Sequence, residues 1–80
     1  MPFYTYILFS TKNNKYYTGQ TNNLISRLEQ HNNGLVKSTR NGSPWQLVFS
    51  EELITRSDAM RLETKIKKRG ANRFLTEIEN

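Results

Sequence analysis

Residues 16–34 read YYTGQTNNLISRLEQHNNG, and the fold turns on where this stretch changes its spacing. YYTGQ, residues 16–20, is aromatic and β-branched and reads as a strand. From Leu24 onward the apolar residues Leu24, Ile25 and Leu28 fall on one face of a helix. Asn22 or Asn23 is its N-cap, and Asn33-Gly34 is its stop. Arg27 and His31, at i and i+4, lie side by side along the border of that apolar face.

Upstream, FYTYILF at residues 3–9 reads as a buried strand and STKNNK as a turn, so the first two strands form a hairpin. Tyr6 and Tyr17 share a sheet face if the loop holds an even number of residues. A tight turn at Asn13-Asn14 leaves them about four residues out of register, roughly 13 Å by strand rise. A loop at residues 10–13 puts them opposite each other. The pattern leaves both registers open.

Downstream, LVKSTRNGSP reads as a polar, basic loop. WQLVFSEEL, residues 45–53, is a third strand in which Trp45, Leu47 and Phe49 alternate with Gln46, Ser50 and Glu52, Val48 being the exception. Ser57 caps a helix from Asp58 to Arg69, Gly70 breaks it, and ANRFLTEIE is a short last helix. The order β-β-α-β-α-α is that of an α+β domain, a small sheet covered by helices.

Eighty residues make one domain with a modest core. Twelve Lys and Arg against seven Asp and Glu give a net charge of +5, which suits a polyanion partner such as nucleic acid. The absence of cysteine excludes disulfides and thiolate metal sites. With one histidine, a metal would be held mainly by oxygen, which favours Mg²⁺ or Mn²⁺ over zinc. The N-terminal apolar run is too short for a membrane span and lacks the basic start of a signal peptide, so a cytoplasmic protein is expected.

On the helix 57–69, Ala59, Met60, Leu62 and Ile66 span one apolar sector, with Glu63 in its middle and Arg61, Lys65 and Lys68 on the opposite side. A carboxylate there is costly unless it is paired or binds a metal. Taken one at a time, these polar residues also suit bland roles: a Glu reaching past the core edge, border residues on a helix, tyrosines packed across a hairpin. Taken together they are two phenols, a guanidinium, an imidazole and a carboxylate.

In this set the chain resembles the GIY-YIG nucleases, of the small stand-alone kind. The matching stretches are YTYIL at 4–8, YYTGQTNNLISRLEQHNNG at 16–34, KSTRNGSPWQLVFSEEL at 37–53 and RSDAMRLETKIKK at 56–68. The resemblance implies one such domain over residues 1–80 and a three-stranded antiparallel sheet flanked by helices. It implies a site of Tyr6, Tyr17, Arg27, His31 and Glu63, with Gly19 as the second motif's glycine and Glu63 as ligand to one Mg²⁺ or Mn²⁺. The glycine and isoleucine of the first motif are absent, since Tyr4-Thr5 stands there, and Thr18 replaces the second motif's isoleucine. Some members carry a late active-site Asn, for which Asn72 is the nearest candidate.

The expected activity is a metal-dependent endonuclease acting on DNA, RNA staying open, with little sequence specificity. By analogy it selects branched, nicked or single-stranded forms in repair or recombination. Lys37, Arg40, Lys65, Lys67, Lys68, Arg69 and Arg73 are the candidate phosphate contacts. The rivals are a binding module of the same fold with weak or no catalysis, and a domain active only with a partner protein that supplies specificity.

Overall fold

The hairpin settles in a register between the two that the pattern allows. In the computed structural model, which describes residues 2–79, β1 (Phe3–Ser10) pairs with β2 (Lys15–Thr21), with Leu8 opposite Tyr17 and Tyr6 opposite Gly19. Residues 11–14 form the loop, with Asn14 in the left-handed region at φ 55° and the Asn13 amide donating to Ser10 Oγ. Tyr6 and Tyr17 are therefore diagonal neighbours on one face.

β3 (Trp45–Leu53) pairs antiparallel with the other edge of β1, giving the order β2-β1-β3. The helices are α1 (Leu24–Asn32), α2 (Arg56–Arg69) and α3 (Ala71–Ile78). The strand and helix order is the one read from the sequence. LVKSTRNGSP is more ordered than a loop, because residues Lys37–Gly42 wind into a 3-10 helix. The α2 cap is Thr55, whose Oγ1 accepts from the Asp58 amide, so the helix starts two residues earlier than a Ser57 cap implies.

Val48 breaks the alternation of β3 for a structural reason. Leu8 pairs with Leu47 and Ile7 with Phe49, which leaves Val48 as the extra residue of a β-bulge. The bulge reverses the strand's phase. Trp45 joins Tyr6 and Leu8 on one face, against Tyr17, Leu24 and Leu28, while Phe49 joins Ile7, Ile66 and Phe74 on the other. A continuous alternation would have put Trp45 and Phe49 on the same side. β1 is covered on both faces, and residues 5–8 are all buried.

Two hydrogen-bond sets lock the helices to the sheet. Thr5 Oγ1 donates to the Ala59 carbonyl at 2.7 Å, fixing α2 on β1 one turn before Glu63. Asn32 grips the start of β3 in both directions: its Oδ1 accepts from the Trp45 amide at 2.5 Å and its Nδ2 donates to the Trp45 carbonyl at 3.2 Å. α1 ends as the sequence suggests. Gly34, at φ 75°, donates to the His31 carbonyl and Leu35 to that of Gln30, a Schellman ending. Two residues read as core are not: Ile25 is 75% and Met60 51% exposed. No helix among the described residues is long and apolar enough to cross a membrane.

Asn32→Ala should therefore lower the urea midpoint by the equivalent of about 1–2 kcal/mol with an unchanged m-value. Ile25→Lys, on the same helix, should stay within about 0.5 kcal/mol of the parent. Equal effects at the two positions would contradict the described packing.

Candidate active site

Gly19 makes room for the central tyrosine. A Cβ at position 19 would lie 2.7 Å from the Tyr6 Oη and 3.1 Å from the Tyr17 ring, so any side chain there displaces the phenol. Tyr6 is 1% exposed and runs across β2 toward α1. Its Oη lies 2.8 Å from His31 Nε2, and His31 Nδ1 lies 2.7 Å from Thr39 Oγ1. The Thr39 hydroxyl also reaches the Val36 carbonyl at 3.4 Å.

This geometry orders the protons. Thr39 donates to the Val36 carbonyl and so accepts from His31 Nδ1–H, which leaves Nε2 free to accept from the Tyr6 hydroxyl. His31 is completely buried, not a border residue, with its ring centroid 4.9 Å from that of Tyr17 and 5.8 Å from that of Tyr6. The 3-10 helix closes over it. The indole Nε1 of Trp45 donates to the Thr39 carbonyl at 2.8 Å, and Ser43 Oγ to the His31 carbonyl at 3.2 Å.

Burial sets the charge state. It pushes the Tyr6 phenol up to about 12; the Arg27 guanidinium works against this, while Tyr17 and the Glu63 carboxylate add to it. Burial likewise takes His31 down to about 4, helped by the positive charge of Arg27. The pair is neutral at ordinary pH.

Arg27 and Glu63 thus act on the Tyr6 phenol from two helices, α1 and α2. Arg27 Nη1 donates to Gln30 Oε1 at 2.9 Å. Glu63 is partly buried, and its Oε2 is 2.7 Å from the Lys67 ammonium. Among the described residues no cluster of three or more His, Cys, Asp or Glu forms a metal cage. Of the five residues singled out in the sequence, Tyr6, Tyr17 and His31 pack together, and Arg27 and Glu63 lie within electrostatic reach of the Tyr6 phenol. Asn72 does not join them: it is exposed at the start of α3, where its carbonyl accepts from Thr76.

Sequence reasoning missed several participants. Thr39 orients the imidazole across an eight-residue separation, which no local pattern signals. Gln20, Asn22, Ser26, Gln30 and Arg56 join Arg27 around a polar cleft of about 280 Å³, where the buried Gln20 Oε1 has no hydrogen-bond partner among the described residues. Arg56 enters this cleft while stacking on Phe3, with its guanidinium carbon 4.9 Å from the ring centroid.

The seven basic residues read as phosphate contacts are all exposed, but three are tied down. Arg40 donates to the Gly34 carbonyl, Arg69 forms a two-pronged pair with Glu77, and Lys67 holds Glu63. Lys37, Lys65, Lys68 and Arg73 make no such hydrogen bond or ion pair among the described residues.

Comparison with known proteins gives the chain's relatives. The chain is 46% identical over 61 residues to a UPF0213 protein of Photorhabdus laumondii, a match covering 75% of this chain and 59% of that protein. It is 41% identical over 78 residues to a UPF0213 protein of Clostridium perfringens, covering 96% of this chain and 83% of the relative. The solution NMR structure of a UPF0213 protein from Bacillus halodurans superposes with a TM-score of 0.60 at 29% identity, covering 99% of this chain and 84% of that one. A family model described as the GIY-YIG catalytic domain matches residues 2–74, a span that holds every residue of the converging site, and the chain therefore belongs to the GIY-YIG family.

Proposed function

We propose that the protein is a metal-dependent endonuclease that hydrolyses phosphodiester bonds in DNA with little sequence specificity, favouring branched, nicked or single-stranded forms. The observation that carries this reading is the buried line Tyr6–His31–Thr39 set beside Arg27 and Glu63. Burial alone requires partners for these groups, but the line also gives the phenol a base, His31 Nε2, that can take its proton.

Hydrolysis needs a water stripped of a proton and positive charge on the phosphate. Tyr6 takes the proton: as its Oη accepts from the attacking water, its own hydroxyl proton passes to His31 Nε2, and Nδ1–H stays on Thr39. Burial disfavours both the phenolate and the imidazolium, so the transfer runs only when cationic charge meets the phosphate. Arg27 supplies one such charge, with the fork geometry suited to phosphate oxygens. Glu63 would hold Mg²⁺ or Mn²⁺, which supplies Lewis-acid charge on the phosphate. A single carboxylate that already holds a cation fits an ion that keeps several waters and takes its remaining ligands from substrate. Arg56 and the polar cleft beside Arg27 extend the path for the backbone.

Incubation with plasmid, branched and single-stranded DNA plus Mg²⁺ or Mn²⁺ should give cleavage that Glu63→Ala abolishes. Equal cleavage by both proteins would sink the proposal, and salt-sensitive binding without cleavage would favour the binding-module reading. Tyr6→Phe and Gly19→Ala should each slow cleavage by about 10²–10⁴-fold while DNA affinity stays within about threefold.

The buried imidazole also predicts an acid limit. Between its ordinary 6.5 and the folded value of about 4, the unfolded chain binds a proton at His31 that the native chain refuses. Stability from this group is complete above about pH 6.5 and falls as pH drops toward 4, by up to about 3 kcal/mol. Denaturant titrations from pH 7 to 4 should show this loss, and a His31→Gln variant should lose less over the same range.

A further inference from the structure

Glu63 and Lys67 stand one turn apart on α2, with Nζ 2.7 Å from Oε2. Two features separate this pair from the other ion pairs among the described residues. Its carboxylate side chain is the most sheltered, at 21% exposure against 44% for Asp58 and 39% for Glu77. It also lies within electrostatic reach of the tyrosines, Glu63 acting on Tyr6 and Lys67 coupled to Tyr17. Among the described residues no group of three or more His, Cys, Asp or Glu forms around Glu63, and the cation in contact with it is Lys67.

We propose that Lys67 is the resident cation of the Glu63 site, and that a divalent ion loads only by displacing its ammonium from Oε2. Lys67 then sets the metal concentration at which the site fills. The inference rests on the reading of Glu63 as the metal ligand. A dication and an ammonium on one carboxylate repel each other, so one excludes the other. The exchange is easy because the Lys67 side chain is 58% exposed and an exposed i, i+4 pair is weak. The helical spacing keeps the ammonium one turn away, ready to return when the ion leaves. With Lys67 in place, the metal-free protein does not turn a bare carboxylate toward an incoming phosphate.

Mn²⁺ binding to the full chain, followed by loss of the free-ion electron paramagnetic resonance signal, tests this without any activity measurement. Lys67→Met should tighten the Mn²⁺ dissociation constant by about fivefold. Lys67→Arg, which keeps the charge, and Lys68→Met, which removes a neighbouring charge not paired with Glu63, should stay within about twofold of the parent. Glu63→Gln should lose the site. If Lys67→Met matches the parent, or Lys68→Met tightens binding as much, the displacement idea is overturned while Glu63-dependent binding keeps the metal reading intact. If no protein shows binding that Glu63→Gln removes, both fall together.

Discussion

The candidate site depends on an uncharged imidazole held where water does not reach it. His31 has both ring nitrogens engaged, one by the sheet through Tyr6 and one by the 3-10 helix through Thr39. If either partner moved, a buried polar nitrogen would be left unsatisfied, at a cost of about 1–3 kcal/mol. That penalty couples β1, α1 and the 3-10 helix into one arrangement. The contact of the Thr39 hydroxyl with the Val36 carbonyl selects the tautomer, and with it the direction in which a proton can leave the phenol.

Much of the surrounding architecture serves this placement. The Schellman ending of α1 and the grip of Asn32 on Trp45 hold the histidine's helix against the start of β3. The bulge at Val48 lets one strand serve two cores, sending Trp45 toward the site and Phe49 toward α2 and α3. Thr5 stands where the family motif has isoleucine, and the change has a use: its hydroxyl fastens α2 to β1 near Glu63.

Element order was legible because it depends on local spacing, period two in the strands and 3.6 in the helices, whereas the five site residues were legible through the resemblance to the GIY-YIG nucleases, which links positions that spacing leaves separate. What stayed illegible depends on pairing between distant segments. The hairpin register needed the left-handed Asn14 and the Ser10 contact, which the string does not single out among several Asn residues. Val48 looked like a lapse in alternation because a bulge shows only against its partner strand. Ile25 and Met60 sit in apolar sectors, yet they are exposed because a small sheet covers only part of each helix face.

The site is built from contacts of very different reach along the chain. The proton line closes over 25 and 8 residues, whereas the bond that seats α2 spans 54. Loop-closure entropy makes the short contacts easier to form and the long one harder. The strand hairpin, α1 and the 3-10 helix thus contain the whole phenol–imidazole–hydroxyl line, and α2 adds the carboxylate, its lysine and Arg56. A fluctuation that lifts α2 takes Glu63, Lys67 and Arg56 away and leaves Arg27 beside the assembled proton line.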